Sequence, residues 1–94
     1  KEVRQMRHVL YFTADWCNPC KRTKPIADEL SREGLITFNF IDADTEIEMV
    51  NNFKILSIPT FILIEDGKEI KRTNGAKTRE QLLEFVSNKE SQNG

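Results

Sequence analysis

Two cysteines, Cys17 and Cys20, carry the sharpest chemical meaning in this 94-residue chain, and they are its whole cysteine complement. A bridge across two intervening residues constrains little unfolded chain, so its value would lie in being made and broken. A disulfide-stapled miniature normally carries more bridges closing longer loops. A structural zinc site takes about four ligands, and the only histidine, His8, lies outside the usual zinc-ligand spacings. After a strand and at a helix start, Cys17 would face unsatisfied backbone N–H groups and the positive end of the helix dipole, which favour a thiolate. One turn of helix brings Cys20 round to face it. The pattern predicts an exposed nucleophile and a more sheltered resolving thiol. Zinc sites also use C-x-x-C, so inert thiols and metal binding stand beside redox chemistry as readings of this spacing.

The elements that must position this pair follow from periodicity. Val9 to Thr13 is rich in β-formers and reads as an interior strand. Pro19 suits the first turn of a helix that runs to about Glu33. Ile26, Ala27 and Leu30 face its core side, Pro25 should kink it, and Gly34 ends it. Ile36, Phe38 and Phe40 alternate along a second strand, and Leu35 and Ile41 suggest burial on both of its faces. A second helix follows, with capping-box spacing at Thr45 and Glu48 and an apolar stripe of Ile47, Val50 and Phe53. Residues 55–59 form an apolar loop, buried or partner-facing. Thr60 to Glu65 is a third strand, Asp66-Gly67 a hairpin turn, and Lys68 to Thr73 a charged edge strand. Thr78 and Gln81 cap a last helix marked by Leu82, Phe85 and Val86, and residues 92–94 are an expected frayed end. The order β-α-β-α-β-β-α predicts an α/β fold: a four-stranded mixed sheet with helices on both faces, in one domain spanning 1–94. Right-handed helical crossovers link its first three strands.

Composition narrows the function. The chain is 38% hydrophobic and 31% charged, ordinary for a globule. Fourteen basic against fifteen acidic residues give a net charge of −1, with no basic stripe for nucleic acid or acidic membrane. No apolar run spans a bilayer, and KEVRQMRH has no secretory h-region behind it, so a cytoplasmic location is expected. No glycine-rich phosphate loop, Ser–His–carboxylate set or calcium-loop pattern occurs; no metal site is expected.

The segment Ala14-Asp15-Trp16-Cys17-Asn18-Pro19-Cys20-Lys21 resembles the active-site segment of the thioredoxin family, W-C-G-P-C-K. Phe12, Pro25, Asp44, Ile58-Pro59, Gly67 and Gly75 match further family positions in order, so the resemblance runs from about Val9 to Val86. It implies a thioredoxin-like fold and a cis Pro59 opposite the cysteines, with the Ile58 backbone free to pair with an extended client. Four departures stand out. Eight residues precede the first strand, too few for the family's additional strand and helix. Asn18 replaces glycine, and Thr13 replaces a common tryptophan. Tyr11 and Phe40 stand where the family keeps a buried Asp–Lys pair.

The resemblance implies a thiol–disulfide oxidoreductase acting mainly as a monomeric reductant. Cys17 and Cys20 are its catalytic pair, and Trp16, Asn18, Pro19, Ile58, Pro59 and Gly75 form a client-docking face. Tyr11 and Lys21 are candidates for proton relay or for tuning the thiol, against plain readings as a core residue and a solvated helix face. No bound cofactor is expected. The resemblance implies electrons from NADPH through a flavin-dependent reductase, or from glutathione if the protein is glutaredoxin-like; Trp16 and Lys21 favour thioredoxin. Ribonucleotide reductase and peroxide-handling enzymes are the implied clients. A non-enzymatic binding module using the same face is the other reading.

Overall fold

The apolar run at Val9–Phe12 places its strand in the middle of the sheet. In the computed structural model, which describes residues 7–87, β1 (Arg7–Thr13) lies between β2 (Phe38–Asp42) and β3 (Thr60–Glu65), with β4 (Lys68–Asn74) outside β3. The expectations for residues 1–6 and 92–94 lie outside the described residues. β1 pairs in parallel with β2 and antiparallel with β3, and β3 pairs antiparallel with β4 across the Asp66-Gly67 turn. The expected fold class and element order are those observed, with one correction. β1-α1-β2 is a parallel crossover, but β3 runs against β1 rather than along it. A strand that is apolar on both faces carries no mark of its direction in its residue pattern.

Alternation along β1 and β3 sorts the core into two layers. Val9, Tyr11, Phe61 and Leu63 pack against α1 (Asn18–Arg32) and α3 (Arg79–Val86) through Ala27, Leu30 and Leu82. Leu10, Phe12, Ile62 and Ile64 pack against α2 (Ile47–Asn52) and the loop after it, through Met49, Val50, Phe53, Ile55 and Ile58. α1 ends where Gly34 turns to φ 75°. There the Leu35 N–H reaches the Leu30 carbonyl and the Gly34 N–H the Ser31 carbonyl, each at 3.0 Å. α3 starts in the expected capping box, with Thr78 and Gln81 each accepting from the other's backbone N–H.

Other local expectations fail for physical reasons. The Thr45–Glu48 capping box does not form: Glu46 is the N-cap of α2 and makes no side-chain cap bond. The donors ahead of it are taken by Asp42, whose carboxylate accepts from the Asp44 N–H (2.9 Å) and whose carbonyl accepts from those of Thr45 and Glu46 (3.2 and 2.9 Å). Ile47 is exposed, and Met49 joins the packed stripe instead. Phe40 is 40% exposed although Phe38 and Ile41 of β2, the edge strand among the described residues, are buried. His8 is half-buried in β1, opposite Ile64.

Candidate functional site

β1 ends at Thr13, and the chain turns through residues 14–16 into α1, so the cysteine pair sits beyond the C-terminal end of β1 on a helix start. Cys17 is the N-cap of α1, and its Sγ accepts the Cys20 N–H at 3.2 Å. That is one of the donors a helix start leaves without an internal partner. Cys17 and Cys20 are joined as a disulfide, with Cα atoms 5.2 Å apart. In this oxidised form Cys17 is 3% and Cys20 1% exposed. The expectation of an exposed Cys17 is therefore corrected: Ala14 and Ile58 pack around the pair.

The predicted docking residues separate into those that meet and those that flank. Ile58 packs on the cysteine cluster, and Pro59, joined to it by a cis peptide bond, is buried. Gly75, at φ 91°, donates its N–H to the Pro59 carbonyl at 2.9 Å, which ties the end of β4 to this corner. Asn18 is exposed and Pro19 half-buried in the first turn of α1. Trp16 is 64% exposed yet anchored, because its Nε1–H donates to both carboxylate oxygens of Asp44 at 3.2 and 3.0 Å. Asp42 holds the Asp44 backbone in turn. Trp16, Asp44, Val50, Ile55, Leu56 and Ile58 line a groove of about 450 Å³ beside the disulfide corner.

The two tuning candidates are placed differently. Lys21 is exposed, and its backbone N–H bonds the Cys17 carbonyl at 3.1 Å. Tyr11 is fully buried among Phe38, Phe40 and Phe61, with the Phe61 ring centroid 4.5 Å away, and it stands across from Phe40 in the β1–β2 register. Its hydroxyl donates to the Cys20 carbonyl at 3.3 Å rather than to a sulfur. Burial pushes its pKa up to about 12; hydrogen bonding with Thr13 opposes the rise and the charge of Asp28 adds to it. Tyr11 is thus a neutral donor at physiological pH.

Thr23 goes unnoticed in the sequence, and Leu56 reads only as one member of the buried or partner-facing loop 55–59. Leu56 is 96% exposed on the groove wall, but in a run of aliphatics nothing marks which member faces water. Thr23 is fully buried in α1 with a hydroxyl bonded on both sides. Its only sequence signal is a threonine on the helix's buried stripe.

A reversible disulfide at a helix N-terminus, flanked by an anchored exposed indole and an X–Pro corner, is built for thiol–disulfide exchange. The comparisons agree. The thioredoxin family model matches residues 1–88. The thioredoxin of Mycobacterium tuberculosis is 42% identical over 78 residues, covering 81% of this chain and 67% of that protein. The bifunctional thioredoxin reductase/thioredoxin of Mycobacterium leprae is 41% identical over 78 residues, 81% of this chain and 17% of that protein. The solved structure of Fasciola hepatica thioredoxin matches with a TM-score of 0.78 and 33% identity, over 85% of this chain and 77% of that one. The chain belongs to the thioredoxin family, and its activity is thiol–disulfide oxidoreduction.

Proposed function

We propose that the protein works as a dithiol reductant of partner-protein disulfides, with Cys17 as nucleophile and Cys20 as resolving thiol, in a single domain. The observation that carries this reading is the Cys17 Sγ at the N-cap of α1, 3.2 Å from the Cys20 N–H. In the reduced protein that donor and the helix terminus favour a thiolate at Cys17. The thiolate attacks one sulfur of the partner disulfide, whose S–S bond breaks, and a mixed disulfide forms. Cys20, having lost its proton, attacks the Cys17 sulfur and releases the partner's second thiol. Two electrons pass to the partner and the Cys17–Cys20 bond remains. Ile58, Pro59 and Gly75 receive an extended client segment by strand addition, with Trp16, Asn18 and Pro19 on the other side of the pair.

A flavin-dependent thioredoxin reductase drawing on NADPH regenerates the dithiol; a relative that carries reductase and thioredoxin in one chain supports this donor. Ribonucleotide reductase or peroxide-handling enzymes are clients of the right chemistry. No helix among the described residues is long and apolar enough to cross a membrane, which accords with the cytoplasmic location proposed here. Insulin-disulfide reduction, run in parallel with thioredoxin reductase plus NADPH and with glutathione, tests the reading. Turnover with the reductase is expected; turnover with glutathione alone would make the protein glutaredoxin-like. Partner binding that survives loss of both cysteines would point to a non-enzymatic module.

A further inference from the structure

We infer that Thr23 is a positioning residue, whose buried hydroxyl holds the client-facing loop at residues 75–77 in register with the disulfide. The inference rests on the docking face proposed above. Thr23 lies three residues after Cys20 and is fully buried. Its Oγ1 donates to the Pro19 carbonyl at 3.1 Å and accepts the Lys77 N–H at 3.3 Å. Pro19 stands between the two cysteines. Lys77 stands between β4 and α3, two residues after Gly75, and Gly75 bonds the Pro59 carbonyl. One side chain therefore links the turn that carries the disulfide to a loop whose other end is fastened to the Ile58–Pro59 corner. The Lys77 ammonium folds back onto the carbonyls of Asn74 and Gly75, which stiffens the same segment.

A threonine within a helix often returns its hydroxyl to the carbonyl four residues back, which satisfies the proton and nothing else. Thr23 does this with Pro19. The second bond leaves the helix for a backbone N–H 54 residues away. Valine has the same shape but no acceptor, so it would fill the space and leave the Lys77 N–H without its partner. Packing would persist while the loop lost its tie to α1. Exchange with a protein disulfide needs the client backbone on the docking loops and its sulfur in line with Cys17 at the same moment, and small misplacements of such a geometry lower rates steeply. A small disulfide needs only the sulfur. Thr23 should therefore matter for large clients alone.

The test compares wild type, Thr23→Val and Thr23→Ser as reduced proteins, reacting with insulin and with a small aromatic disulfide. Trp16 fluorescence follows each reaction. Thr23→Val is expected to lose about fivefold or more in the second-order rate constant toward insulin and to stay within about twofold of wild type toward the small disulfide; Thr23→Ser, which keeps the acceptor, should retain wild-type rates on both. Equal rates of wild type and Thr23→Val on insulin overturn the inference. So does an equal loss on both substrates, or a Thr23→Ser as impaired as the valine variant. Backbone hydrogen exchange on the wild-type protein supplies a readout that no folding defect can obscure. The Lys77 amide should be protected, and exchange at the free-peptide rate would refute the tie outright. Failure of the wild type to reduce any disulfide would instead refute the oxidoreductase reading, a result the Lys77 exchange rate does not share.

Discussion

Replacing Tyr11 by phenylalanine removes one buried hydroxyl and leaves the ring in its aromatic cluster. At neutral pH the variant loses the 3.3 Å bond to the Cys20 carbonyl. A bond of this kind contributes a net ~1 kcal/mol, so the variant should be less stable by about that amount. Alkaline pH reverses the order. The phenol titrates near 10 in the unfolded chain and near 12 when folded, because burial disfavours the phenolate. A folded pKa raised above the unfolded one gives stability that is whole below about pH 10 and lost as pH rises toward about 12. Linkage puts the wild-type loss at roughly 1 kcal/mol by pH 11 and roughly 2 kcal/mol by pH 12. The phenylalanine variant has no phenol to titrate, and the lysines shared by both proteins cancel in the difference. The stability curves should therefore cross near pH 11. The chain has one tyrosine and one tryptophan, so tyrosinate absorbance reports Tyr11 alone, and Trp16 fluorescence follows urea unfolding of the oxidised proteins. A tyrosinate midpoint near pH 10, or stability curves that stay parallel from neutral to alkaline pH, would refute the account of a phenol held neutral by burial.

Cys20→Ser should accumulate mixed disulfides with protein clients while Cys17→Ser forms none, as read by non-reducing electrophoresis; trapping by the second variant would exchange the assigned roles. Leu56→Asp should slow insulin reduction severalfold and spare a small disulfide, since it places a charge on the apolar wall beside Trp16 and Ile58; unchanged insulin kinetics would remove the groove from client binding. Tyr11→Asp should cost ~3 kcal/mol or more in urea unfolding, because it empties an aromatic site and buries a carboxylate. Adding Phe40→Lys, directly across the strand pair, should return part of that loss, and strict additivity of the two changes would show that positions 11 and 40 do not act as a pair.

What the sequence determined by itself is whatever local chemistry dictates. The alternation Val9-Leu10-Tyr11-Phe12 could be satisfied only between two apolar layers, and both layers are present. Cys17-Asn18-Pro19-Cys20 at a helix start left little room for any pairing but its own. Thr78 and Gln81 three residues apart specified their cap. Where the same kind of signal failed, a neighbour competed for one of the same groups: the Asp42 carbonyl took the Thr45 N–H that the Glu48 side chain would have accepted from. Tertiary structure decided everything that depends on what lies across space. The direction of β3 is invisible in residues apolar on both faces, and so is the exposure of Phe40 on a strand whose Phe38 and Ile41 are buried. Sequence leaves Tyr11 readable as a core residue or a proton relay, and only the structure shows its hydroxyl on the Cys20 carbonyl, in an enclosure that keeps it neutral. Thr23 acquires its meaning only from Lys77, 54 residues further along the chain. Periodicity records which face a side chain takes, but a hydrogen bond between distant segments exists only once folding has brought its two ends together.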